Sequence, residues 1–145
     1  MALPTPHPGL VVCYAYLWWR EFQEGREEGT KDRPCAIVLK TEDSDGETVV
    51  TVAPITHGPP DDPDAAVEIP QATKSRLSLD AERSWVVVGE TNTFVWPGPD
   101  LRPIDRHRPD VFSYGVLPPA LFRQVRDKLV AVYKARRLKR IRRSD

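Results

Sequence analysis

At 145 residues the chain has room for one ordinary domain whose core needs no disulfide or metal to hold it. Lys plus Arg equal Asp plus Glu at 21 each, so whole-molecule charge gives no argument for a polyanionic partner. No window approaches the ~20 apolar residues of a membrane span, the proline-rich start has no cationic or long apolar stretch of a secretory signal, and two cysteines make no disulfide framework, which together predict a cytoplasmic chain with reduced thiols and no membrane contact.

Fifteen prolines confine helix to a few places and leave most of the chain to strands and turns. Residues 1–8 read as an N-terminal extension. Strands are predicted over 10–18, 35–40, 48–54, 66–69, 85–89 and 93–96, with Cys13 and Cys35 as core residues of the first two. Asp45-Gly46 between the second and third is a hairpin signal. The charged segment 20–32 and the proline- and aspartate-rich segment 57–64 read as surface loops, the kind of segment that carries function disproportionately often. A short helix is predicted near 71–77.

A longer helix starts after Pro118-Pro119 and presents Leu121, Val125, Leu129 and Val132 on one face, which should pack on the sheet. No helix-length segment separates the early strands, so the reading is mainly β with helices (α+β), a small antiparallel barrel or sandwich spanning 1–145 as one domain. Charge is sorted along the chain: from Arg123 to Arg143 every charged residue but Asp127 is basic. The basic tail, 136–145, suits nucleic-acid contact, an acidic protein partner, or a solvated helix end. With few apolar residues to pack, 138–145 are predicted to fray, and truncation after Ala135 to leave the melting temperature nearly unchanged.

Three motifs carry a family resemblance. A first strand Gly9-Leu-Val-Val-Cys-Tyr-Ala-Tyr-Leu-Trp-Trp leads through the charged loop to Lys31-Asp-Arg-Pro-Cys-Ala-Ile-Val-Leu; a later strand ends Pro54-Ile-Thr56; and Leu79-Asp-Ala-Glu-Arg-Ser-Trp-Val-Val-Val-Gly-Glu runs toward another strand. In order and spacing these resemble the MazF/PemK growth inhibitors of type II toxin–antitoxin systems. The resemblance implies an SH3-like barrel of the MazF/PemK/CcdB type and a homodimer. It also implies metal-independent endoribonuclease activity on single-stranded RNA, whose own 2′-hydroxyl attacks the adjacent phosphate, and a cognate antitoxin bound over the active groove.

Carried onto this sequence, the resemblance implies Arg33 as the phosphate clamp, a role suited to a permanently charged fork of parallel donors. By itself Arg33 would read as a structural arginine at a loop-to-strand junction. Thr56 is implied as its hydroxyl partner and Glu28 as a loop carboxylate, with Glu27 an alternative. Lys31 is assigned to RNA binding, and Glu90 and Asn92 fall near where some relatives place an acid acting as base. His57 carries an imidazole, the side-chain type suited to proton transfer. Trp96 suits base stacking, or a dimer or partner contact.

The histidines His7, His57 and His107 lack metal-ligand spacing, so no metal and no cofactor is expected. Two competing readings remain at this stage. One is a non-catalytic, CcdB-like inhibitor of a protein target such as DNA gyrase, and the other a degenerate relative that binds RNA without cutting it.

Overall fold

The computed structural model describes residues 3–143. Strands follow the apolar runs: β1 (Leu10–Tyr14), β2 (Arg33–Glu42), β3 (Thr48–Thr56), β4 (Ala66–Glu68), β5 (Trp85–Val87), β6 (Glu90–Val95), β7 (Ser113–Val116) and β8 (Lys139–Arg142). The helices are α1 (Trp19–Gln23), α2 (Gln71–Arg76) and α3 (Pro119–Lys134), and a single 3-10 turn, Pro63–Ala65, precedes β4.

The strands form one twisted array in the order β4-β5-β3-β2-β1-β7. β3 is shared along its outer edge: residues 49–52 pair with β6 and Ile55 and Thr56 with β5. All pairings are antiparallel except β6 with β8, which is parallel. The path does not close on itself among the described residues, so the expected α+β, antiparallel, barrel-like sheet is present with an open seam.

Both faces of the sheet are buried, which explains why β1 reads as an unbroken apolar run rather than an alternating one. Val11, Ala36, Ala53, Ile55 and Val86 point to one core, where Leu121, Val125 and Val132 of α3 seal them. Leu10, Val12, Tyr14, Ile37, Val52 and Phe94 point to the other, closed by Leu101 and Phe112 from the long connection after β6. Tyr14 stacks on Phe94 there at 4.5 Å between ring centroids. Cys13 and Cys35 are buried in adjacent strands as free thiols, and burial raises the pKa of each.

The pairing of β2 with β3 sets Cys35 opposite Pro54 and Ala36 opposite Ala53. Continued two residues toward the strand ends, this register puts Arg33 across from Thr56. A bulge between Ile37 and Leu39 shifts the register farther along and turns Leu39 out to solvent.

The structure departs from the sequence reading at several places: the first strand stops at Tyr14 rather than at 18, and β7 falls where no strand was predicted. The start of segment 20–32 is helical, because Glu21 reaches back to accept a hydrogen bond from the Trp18 amide at 3.1 Å and so closes the first turn of α1. The basic tail does not fray over 138–143. Arg136, in the left-handed region at φ 58°, reverses the chain after α3, and β8 then lies along β6 with Ile141 buried. Arg143 is 4% exposed, and its guanidinium donates to the Ala15 carbonyl (2.8 Å), Asn92 Oδ1 (3.1 Å) and Asp100 Oδ2 (3.0 Å). The last two positions of the tail lie outside the described residues.

The truncation after Ala135 is therefore now expected to destabilise. Arg143→Ala alone should lower the unfolding free energy by about 3 kcal/mol, since it strands Asp100 and Asn92 without their partner. Urea denaturation of the variant beside the wild type measures this, and an unchanged midpoint contradicts it.

Candidate functional site

The ends of β2 and β3 open into a groove of about 1120 Å³, floored by the strand ends and walled by segment 57–62 on one side and the start of β8 on the other. Arg33, Thr56, Lys31, His57 and Glu90 all line it. Lys31 is held there because the loop before it lies flat on the end of β1: a Cβ at Gly29 would collide with the Tyr16 carbonyl.

Arg33 is half-buried, and desolvation lowers its pKa from the ordinary arginine value. Its guanidinium lies over the Trp18 ring at 4.9 Å, and its buried Nε finds no acceptor among the described residues. A purely structural arginine in such a place would be bonded, as Arg143 is, because an unsatisfied buried donor costs about 1–3 kcal/mol. Thr56 Oγ1 accepts the Gly58 amide at 3.3 Å, a turn contact that leaves its hydroxyl hydrogen free to donate elsewhere.

Glu90, at the first position of β6, is half-buried. Its Oε1 accepts from the Trp19 amide at 2.8 Å and the Tyr16 hydroxyl at 3.0 Å. Burial raises its carboxyl pKa above the ordinary glutamate value despite these bonds and the nearby Lys139 and Arg20 charges. A phosphate-matching cation, a hydroxyl and a carboxyl of raised pKa thus face one groove. Residues 15–95 match the PemK-like, MazF-like toxins of type II toxin–antitoxin systems, a span from the end of β1 through β6. The chain belongs to this family. No individual curated protein matches it. Membership of a type II system implies an antitoxin partner for this toxin.

One wall of the toxin's groove is braced by Lys74, a residue with no local sequence signal. Lys74 of α2 is 1% exposed, and its ammonium donates to Asp80 Oδ1 (2.6 Å), Ser84 Oγ (2.6 Å) and the Glu82 carbonyl. The Lys74 and His57 bonds hold the Asp80 carboxyl below its usual range. Asp80 Oδ2 in turn meets His57 Nε2 at 2.6 Å, while Glu82 faces Nδ1 at 3.1 Å. His57 is therefore clasped on both ring nitrogens.

His57, Asp80 and Glu82 stand close enough to share an ion, as do Asp43, Asp45 and Glu47. Lys74 already places a positive charge on Asp80, which opposes a cation in the first trio. In the second, Asp43 Oδ1 closes the hairpin turn by accepting the Asp45 and Glu47 amides.

Three expected site residues stand apart from the groove. Asn92 is fully buried, and its side chain is consumed inside the protein: Oδ1 accepts the Leu17 amide (2.9 Å) and Nδ2 donates to the Leu17 carbonyl (2.9 Å). It therefore cannot contact substrate. Trp96 packs on Phe94 at the rim of the second core, where its ring is already stacked, rather than facing the groove. Glu28 is exposed on the loop ahead of Gly29 and does not line the groove.

Lys74→Met should lower stability by about 2 kcal/mol by removing the buried charged donor that Asp80, Ser84 and the Glu82 carbonyl share. The pH dependence supplies a second reading. Asp80's depressed pKa contributes stability that is present above its unfolded value and lost as pH falls through the folded one. In Lys74→Met that acid limb should flatten, and denaturation midpoints taken from neutral pH downward would show it.

Proposed function

We propose that this toxin is an endoribonuclease that cuts single-stranded RNA, with Arg33 and Thr56 binding the scissile phosphate. The reading rests on one observation above the others: Arg33 is a half-buried cation with an unsatisfied Nε, set by strand register across from a hydroxyl in an open groove. In the reaction the RNA's 2′-oxygen attacks the adjacent phosphorus and the bond to the 5′-oxygen breaks, giving a 2′,3′-cyclic phosphate and a 5′-hydroxyl. Charge builds on the phosphate oxygens in the transition state, and a guanidinium fixed against Trp18 meets that charge without reorganising.

Glu90 is the group proposed to take the 2′-hydroxyl proton, since burial tunes its carboxyl toward that of a useful base. His57, with carboxylates on both ring nitrogens, suits shaping the wall better than moving a proton. The proposal extends to a homodimer acting in the cytoplasm, with an antitoxin segment covering the groove when the toxin is silenced. A CcdB-like protein inhibitor would have no use for the phosphate clamp.

Arg33→Ala should fold normally and lose on the order of 10²–10³ in cleavage rate. Wild-type cleavage by that variant would overturn the clamp. Because the nucleophile belongs to the RNA, cleavage should persist in EDTA, and a substrate with a 2′-deoxy sugar at the mapped cut position should stay intact.

Glu90 makes a signed prediction. As a base it must be ionised, so cleavage should fall as pH drops through its raised pKa, and Glu90→Gln should remove that limb along with roughly 10²-fold or more of the rate. Stability moves the other way: a carboxyl whose pKa is raised on folding stabilises most at low pH, and that contribution is lost as pH rises through the folded pKa. Glu90→Gln should therefore melt no lower than the wild type at pH 8. Calorimetry and a pH–rate profile check the pair.

A further inference from the structure

The basic segment after α3 lies wholly outside residues 15–95, the part of the chain that matches the family. The structure sorts its charges by role. Arg143 is a buried structural ligand, and Arg137 is ion-paired to Asp62. Arg140 lies over the Tyr133 ring, away from the groove. Arg136 and Lys139 line the groove itself, and among the described residues neither makes an ion pair or a side-chain hydrogen bond.

Two further groove cations belong with them. Lys139 pairs in register with Glu90 across β8 and β6, and its charge, like that of Arg20, acts on the Glu90 carboxyl. Arg20 lies over the same Trp18 ring as Arg33, at 5.6 Å. Arg33, Arg20, Lys139 and Arg136 thus form one run of groove cations with no ion pair among the described residues, in a chain whose acids and bases balance. Of the groove's acids, Asp62 and Asp80 are already matched by Arg137 and Lys74, which leaves Asp32, Asp61 and Glu90 against Arg20, Lys31, Arg33, Arg136 and Lys139. The groove's net field therefore favours an anion along the β8 side.

We propose that Arg20, Lys139 and Arg136 are a second phosphate-binding strip, which holds the RNA backbone beyond the scissile phosphate gripped by Arg33. The proposal rests on the ribonuclease reading and adds the path of the substrate. RNA fits better than an acidic protein because the strip continues the wall that carries Arg33 and Glu90, and because its Arg20 shares the Trp18 ring with the Arg33 clamp. Arg136 also sits in the left-handed backbone region, where glycine is the usual residue.

The test compares two double variants that remove equal charge from the same chain segment. Arg136→Ala with Lys139→Ala strips the groove wall, and Arg140→Ala with Arg142→Ala strips the outer side. Binding of a mixed-sequence 2′-O-methyl RNA oligonucleotide, which cannot cyclise, is followed by fluorescence anisotropy across a salt series.

The groove variant should bind about tenfold more weakly at low salt, with the logarithmic salt slope reduced by about 1.4, the value for two lost contacts to a single strand. The outer variant should keep the wild-type slope. With cleavable RNA, at a pH above the titration of Glu90 so that loss of the Lys139 charge does not change its ionisation, the groove variant should raise KM and leave kcat within about twofold. Equal loss in both variants, or none in the groove variant, overturns the strip while wild-type cleavage leaves the ribonuclease reading standing. A wild type that neither binds nor cuts RNA overturns both. Loss of poly-glutamate binding alone, with RNA binding intact, assigns the strip to an acidic protein and also overturns the proposal.

Discussion

Asn92 and Arg143 form the joint on which the rest of this structure hangs. The Asn92 amide substitutes for a strand partner, meeting both the amide and the carbonyl of Leu17, while Arg143 closes on the same Oδ1 and carries the link to Ala15 and Asp100. Four stretches of chain distant in sequence therefore meet in one fully satisfied polar cluster. Inside a low-dielectric core such a cluster tolerates no loose end, so it fixes geometry more sharply than apolar packing would. What it fixes is the chain just after β1. The positions of Trp18, α1 and the Trp19 amide that bonds Glu90 all follow from where Leu17 is held.

Charge is arranged on a second principle, division of labour. The acids Asp62, Asp80, Asp100 and Glu68 serve as partners for Arg137, Lys74, Arg143 and Arg83, and these pairs knit loops to the sheet. Among the described residues, the cations beside Trp18 and at the start of β8 form no such ion pairs. A neutral protein thereby presents a positive groove, and does so without excess charge that would strain the fold by self-repulsion. Trp18 contributes by holding guanidiniums through its ring face, which orients them without quenching their charge as a carboxylate would.

Much of the frame was legible in the residues. Asp45-Gly46 marks the β2–β3 turn, and the apolar stripe of α3 faces the first core as its spacing demanded. Arg33 and Thr56, picked out by resemblance, prove to share one register line, which connects two weak motifs through a single hairpin. What stayed hidden depended on partners far away in sequence. A run such as Lys-Arg-Ile-Arg-Arg reads as solvated charge because nothing local shows that Ile141 will be buried or that Arg143 will meet Asp100. Lys74 is hidden for the same reason, since a lysine in a short polar helix carries no sign of the carbonyl and hydroxyl that will enclose its ammonium. Asn92 errs in the opposite direction: a polar residue at a strand end looked available, and the core had already claimed it.

The parallel pairing of β8 with β6 has a consequence for how the molecule comes into being. Every antiparallel neighbour of β3 is made within the first two-thirds of the chain, but the strand that seals the far wall of the groove emerges only after α3, and a nascent chain folds in the order it is made. Until Ile141 and Arg143 arrive, Asn92 and Asp100 lack their clasp and Glu90 lacks its flanking lysine. The strand ends that carry Arg33 and Thr56 can be built early while the positive wall beside them is built late. For a toxin, that order leaves the groove incomplete until the strand after α3 has been added.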